Sequence, residues 1–169
     1  MPRTPYLTVF RTALVAVLAA MLSGCFVGSR EFLTAADAEF PYKEITFSEI
    51  GQNESTTLVM RDGAYRSTDE DNPSSFLFKE VAPDTYVVQA SGVEDGQKSI
   101  LFAMLKMDRD ADVVRAYKAV AGDDEKAPGM TPCDEGLCFD ELQTYVDYAL
   151  KAIADGAKPD ATYRILSTK

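Results

Sequence analysis

The chain has 169 residues, of which 17 are basic, 27 acidic and none histidine, giving a net charge of −10. The lack of histidine excludes Ser-His-Asp and Cys-His nucleophile systems and His-ligated zinc. The acidity disfavours nucleic acid as a partner. There is no Ser-x-x-Lys, no Gly-x-Gly-x-x-Gly and no Walker loop, so neither an enzyme nor a bound cofactor is expected.

Residues 1–24 read as a secretory signal. Arg3 and Arg11 precede an unbroken apolar run from Ala13 to Leu22, with no acid. The run is too short for a membrane span, which needs roughly 20 residues, and suits a signal core. It ends Leu22-Ser23-Gly24-Cys25. These four residues resemble the lipobox of bacterial lipoproteins, which is Leu, a small residue, Gly or Ala, then Cys. The resemblance implies that Cys25 takes a diacylglycerol on its sulfur. It also implies cleavage before Cys25 and acylation of the freed amine. Two or three chains then hold a bilayer stably, where one binds only marginally. Phe26 follows in place of Asp, which in Gram-negative members of the class implies the outer membrane, facing the periplasm. The resemblance covers the first 25 residues and no more.

Removing 24 of the 169 residues leaves 145, enough for one domain with a real core. The signal takes two basic residues, so 15 basic and 27 acidic residues remain, a charge of −12. Residues 25–42 read as a lipidated N-terminus and tether, with a short helical turn in 33–39 and Pro41 closing it. Residues 43–169 read as a single β-rich domain.

Beyond Pro41 the hydrophobic period becomes two. Residues 45–50 alternate as a strand. Thr57–Arg61 and Ala64–Ser67 flank Asp62-Gly63, whose residue types suit a type I′ hairpin turn. A polar loop, 68–74, follows. Residues 75–81 and 85–90 form a second hairpin across Ala82-Pro83-Asp84. Gly92–Gln97 reads as a turn. The apolar run Ser99–Met107 reads as a central strand buried on both faces. Asp108-Arg109-Asp110 turns it, and residues 113–120 fit a strand better than a helix. Residues 122–132 read as a loop.

Cys133 and Cys138, spaced Cys-Asp-Glu-Gly-Leu-Cys in an exported chain, predict a disulfide that fixes a turn. The rival is a redox dithiol, which normally has Cys-x-x-Cys spacing. Then Phe139, Leu142, Val146, Leu150 and Ile153 share a helical stripe over about 139–155. Asp140 and Gln143 suggest a capping box, and Gly156 with Pro159 suggests a stop. Ala161–Leu166 reads as a last strand. The expected architecture is α+β: a curved antiparallel sheet of about seven or eight strands with one C-terminal amphipathic helix packed on it. Phe76, Phe78, Val87, Leu101, Phe102, Leu105, Leu142, Val146 and Leu150 form the expected core.

Candidate chemistry is sparse. Asp108-x-Asp110-x-Asp112 opens like a calcium loop. Val113 and Ala119 stand where an EF-hand needs Gly and Glu, so a solvated turn is expected instead. Asp69-Glu70-Asp71 and Asp123-Asp124-Glu125 read as loop charges. Tyr65, Tyr86 and Tyr117 on strands could line a binding face, or sit half-buried in the sheet. The functional expectation is a membrane-anchored envelope lipoprotein, a non-enzymatic binding or structural module with an envelope protein as its partner. The alternative is a periplasmic lysozyme inhibitor, whose acidic surface would suit a basic target. An enzyme using only carboxylates, Ser, Tyr or Lys is the remaining reading.

Overall fold

The computed structural model describes residues 26–28, 30–68, 74–94, 97–117, 127–133 and 136–169. The strands are β1 (Phe26–Gly28), β2 (Glu44–Glu49), β3 (Ser55–Arg61), β4 (Ala64–Ser67), β5 (Ser75–Ala82) and β6 (Thr85–Glu94). They continue with β7 (Gln97–Asp108), β8 (Val113–Tyr117), β9 (Thr131–Cys133), β10 (Gly136–Phe139) and β11 (Ala161–Thr168). One helix, α1 (Leu142–Ala154), lies between β10 and β11.

Strands β2 to β8 form a meander, and β11 returns to pair with both β8 and β2. Since β6 also pairs with β7, eight antiparallel strands close into a barrel. The expected sheet with one packed helix is borne out, and closure removes the free edges an open sheet would carry. The 113–117 segment is a strand, and residues 118–120 lie outside the described residues.

Local chemistry sets the turns at one end of the barrel, here called the lower rim. Asp62 and Gly63 both have positive φ (53° and 81°), as a type I′ turn requires. Asp84 and Asp112 (both φ 52°) serve the β5–β6 and β7–β8 hairpins, where a short polar side chain tolerates the left-handed region. The 92–97 turn is tighter than expected, because Gly92–Glu94 stay in β6 and β7 begins at Gln97.

Side chains alternate between two cores. Ile45, Leu58, Tyr65, Phe78, Tyr86, Val88, Met107, Val114 and Tyr163 fill the barrel, as small eight-stranded barrels require. The outer face of β6 and β7 carries Val87, Phe102 and Met104, which pack under Tyr145, Val146 and Ala149 of α1. The central strand β7 is thus covered on both faces, as its unbroken apolar run predicts.

Three details of the C-terminal part depart from expectation. Phe139 belongs to β10, and the helix begins at Leu142. The capping box does not form: Glu141 is the N-cap with no side-chain bond, and Gln143 donates to Asp147 Oδ1 at 2.7 Å. The stripe buried deepest is Tyr145, Val146 and Ala149, with Leu142, Leu150 and Ile153 on its flanks. The stop is as expected. Gly156 takes φ 95°, its N–H donates to Ile153 O, and Ala157 N–H donates to Ala152 O, a Schellman motif.

The stretch read as a tether runs along the barrel wall. Strand β1 pairs antiparallel with β7 (Phe26↔Phe102) and parallel with β10 (Val27↔Cys138). Residues 30–42 then form a strap down the outside of β6 and β5. Thr34 N–H and Oγ1 both donate to Asp37 Oδ2, fixing a single turn. Strand β4 is short, so the lower half of the β5 edge lacks a strand partner there. Glu39 N–H fills it by donating to Phe78 O at 2.7 Å.

The strap crosses the barrel so closely at Gly63 that a Cβ there would lie 2.6 Å from Ala35 Cβ. Gly63→Ala is therefore expected to lower stability by about 2–3 kcal/mol. Roughly 1–2 of this comes from the left-handed backbone and the rest from the clash. Adding Ala35→Gly should return only the second part. Denaturant midpoints of the two variants check the split.

Candidate functional site

Two features of the lower rim stand out: an ionic cleft and an aromatic plug. The cleft lies on the outer face of the β7–β8 hairpin, with a volume of about 470 Å³, lined by Asp84, Lys106, Met107, Asp108, Arg109, Asp110 and Arg115. Arg109 Nε donates to Asp84 Oδ1 at 2.5 Å, and its Nη2 approaches Tyr86 Oη at 3.4 Å. Arg115 pairs with Asp108 Oδ2 at 3.4 Å. Ala111 N–H donates to Asp108 Oδ1, so this carboxylate holds the turn as well. The Asp108-x-Asp110-x-Asp112 run is thus a hairpin turn whose Asp108 is paired with Arg115. No cluster of three or more metal-ligating side chains occurs among the described residues.

The plug is Phe40. Its ring stacks on Phe78 (4.4 Å between centroids) and meets Tyr65, Tyr86 and Tyr42 edge-on at 5.2–5.8 Å. Tyr65 Oη donates to Tyr42 O, which fixes the chain as it enters β2. The strap that carries Phe40 is clamped higher up by Gln89, a polar side chain only 1% exposed on the outer face of β6. Gln89 Oε1 accepts from Phe32 N–H (2.8 Å) and Leu33 N–H (2.9 Å), and Nε2 donates to Leu33 O (3.2 Å). Phe32 stacks on Phe139 at 5.4 Å under the Arg30 guanidinium.

The tyrosines considered for a binding face do not form one. Tyr65, Tyr86 and Tyr117 are all buried, the first two in the barrel and the third beneath α1. Burial pushes the Tyr65, Tyr86 and Tyr163 phenols above their ordinary value. The carboxylates of Glu80 and Asp84 add to this at Tyr86, against Arg109, and Glu49 adds at Tyr163. A folded-state pKa raised above the unfolded value of about 10 gives stability that is complete below that value and lost as pH rises through the folded one. Unfolding free energy should therefore fall from about pH 10 upward, and Tyr163→Phe should make the fall shallower. Denaturant titrations from about pH 8 to 11 measure the slope.

The cysteine expectation needs correction. Cys138 is disulfide-bonded to a cysteine outside the described side chains, and the strand register does not set Cys133 opposite it as the expected staple requires. Cys133 stands opposite Gly136 and Cys138 opposite Thr131, so the cysteines are offset by two residues. Diagonal neighbours of this kind lie about 7–8 Å apart, beyond the usual Cα separation of a disulfide. A five-residue spacing faces itself only across a four-residue loop, and here the pairing leaves two residues between the strands. Cys138 is half-buried on β10. Cys25 and the acidic runs 69–71 and 123–125 lie outside the described residues.

Comparison with protein-family models, with curated proteins and with solved structures finds no match to this chain. What the fold defines is a closed eight-stranded antiparallel barrel with a plugged lower rim and one helix on its wall.

Proposed function

We propose that the protein is a lipid-anchored envelope lipoprotein whose barrel serves as a non-enzymatic binding or structural module. The observation that carries the reading is Leu22-Ser23-Gly24-Cys25 at the end of a signal-like segment, one residue before β1. A barrel filled by its own aromatic side chains supports a role at the surface over one in the lumen. On this reading no spacer separates the anchor from the fold. Phe26 is already paired to β7, so the β1–β10 side of the barrel lies against the bilayer. With Phe26 after the lipidated residue, the proposed location is the outer membrane, facing the periplasm.

The test is Cys25→Ala. Labelling with a radioactive fatty acid should be lost, the signal should be retained in the mass, and the protein should cease to partition with membranes as a lipoprotein. Unchanged labelling and unchanged mass would end the proposal.

A further inference from the structure

The charge of this chain is unevenly distributed over the barrel. The helix and the strap cover the outer face of β5 to β7 and the end of β8, and the opposite wall, from β11 through β2 and β3 to β4, lies away from them. Register assigns the outward positions of that wall. The charged side chains among them are Arg61, Arg66 and Arg164, against the single carboxylate of Glu44. In a chain with 27 acidic and 17 basic residues, three arginines to one acid is a local reversal. Glu44 is paired with Lys169 at 2.7 Å, so it does not offset the arginines.

Between the arginines the wall presents hydroxyls. Thr46, Ser48, Thr57 and Thr162 point outward, and the Thr46 and Thr57 hydroxyls bond each other at 2.9 Å. Arg66 and Arg164 are exposed. Three strand spacings and four residues of register separate them, on the order of 20 Å along the sheet. Cations this far apart cannot converge on one small anion, but they can meet successive charges of an extended polymer. Arginine grips carboxylates through two parallel N–H bonds. Hydroxyls between the arginines match the hydroxyls of sugar rings. The wall offers no exposed aromatic anchor of the kind that dominates protein interfaces.

We propose that this wall binds an anionic polysaccharide bearing carboxylates along its length. The proposal deepens the binding-module reading by naming a partner.

The test uses the purified full chain in detergent, so its result is separate from that of the anchoring experiment. The probe is polygalacturonate, with neutral dextran, a short DNA duplex and phosphatidylglycerol vesicles as comparisons. Binding to polygalacturonate should weaken steeply with salt and be absent for dextran. Arg66→Glu with Arg164→Glu should weaken it at least about tenfold while leaving the melting temperature in place, because both side chains are exposed. Arg66→Lys with Arg164→Lys should keep a detectable part of the binding and show the same fold. Lack of binding, or binding indifferent to the charge reversal, overturns the proposal. Stronger arginine-dependent binding to the duplex or the vesicles also overturns it, in favour of that partner.

Discussion

Gln89→Leu is expected to cost about 3–5 kcal/mol, far more than its small change in volume suggests. The side chain makes three bonds to the strap, and all three groups it meets are backbone atoms of Phe32 and Leu33. Leucine would leave two N–H donors and one carbonyl without partners in a site where Gln89 is 1% exposed. Each abandoned buried polar group costs roughly 1–3 kcal/mol. Gln89→Glu separates geometry from chemistry. Its carboxylate can still accept from both N–H groups, but it would sit opposite Leu33 O with no proton to give unless it stays protonated. Its loss should therefore be smaller at low pH than at neutral pH, whereas the loss in Gln89→Leu should not vary in this way. Hydrogen exchange at the Phe32 and Leu33 amides provides the local readout. Both should exchange through global unfolding in the parent and through a cheaper local opening in Gln89→Leu.

This clamp also shows where the sequence is silent. The hairpin at Asp62-Gly63 is legible because positive φ restricts the residue types, and β7 is legible because an apolar run that long must be covered on both sides. Barrel closure is different. It rests on β11 finding β2 across more than a hundred residues, through pairs such as Ile45↔Thr168, and no local pattern encodes such a partner. The strap has no periodicity of its own, so residues 26–42 look like a linker. The signal lay elsewhere: a glutamine between Val88 and Ala90 in a strand that must be buried demands partners. Phe139 misled in another way. It shares the helical spacing of Leu142 and Val146, yet pairing with β1 and β9 claims its part of the chain for a strand. The same hairpin offsets the two cysteines of the predicted staple by two residues, because cysteine spacing says nothing about loop length until the register is known. On the proposed binding wall, Arg61, Arg66 and Arg164 could be read as outward only after strand register was available.

Phe40→Ala is the second variant with a large expected effect, and it should change function as well as stability. The ring is partly exposed at the rim, so its deletion should cost about 2–4 kcal/mol, at or just below the usual range for a buried phenylalanine. Its neighbours cannot readily collapse into the space. Tyr65, Phe78 and Tyr86 are fixed on three adjacent strands, and Tyr65 is bonded to Tyr42 O. The lower mouth should therefore open onto an apolar pocket walled by those rings. Apolar cavities of this kind stay dry and take small aromatic guests. Benzene or indole should raise the melting temperature of Phe40→Ala in proportion to the logarithm of its concentration and leave the parent unmoved. Phe40→Leu, which keeps most of the volume, should recover more than half of the lost stability and bind neither guest. If Phe40→Ala loses stability without gaining a guest, the rim has closed by moving the strap. Faster exchange of the Glu39 amide, which in the parent donates to Phe78 O, would then record that movement.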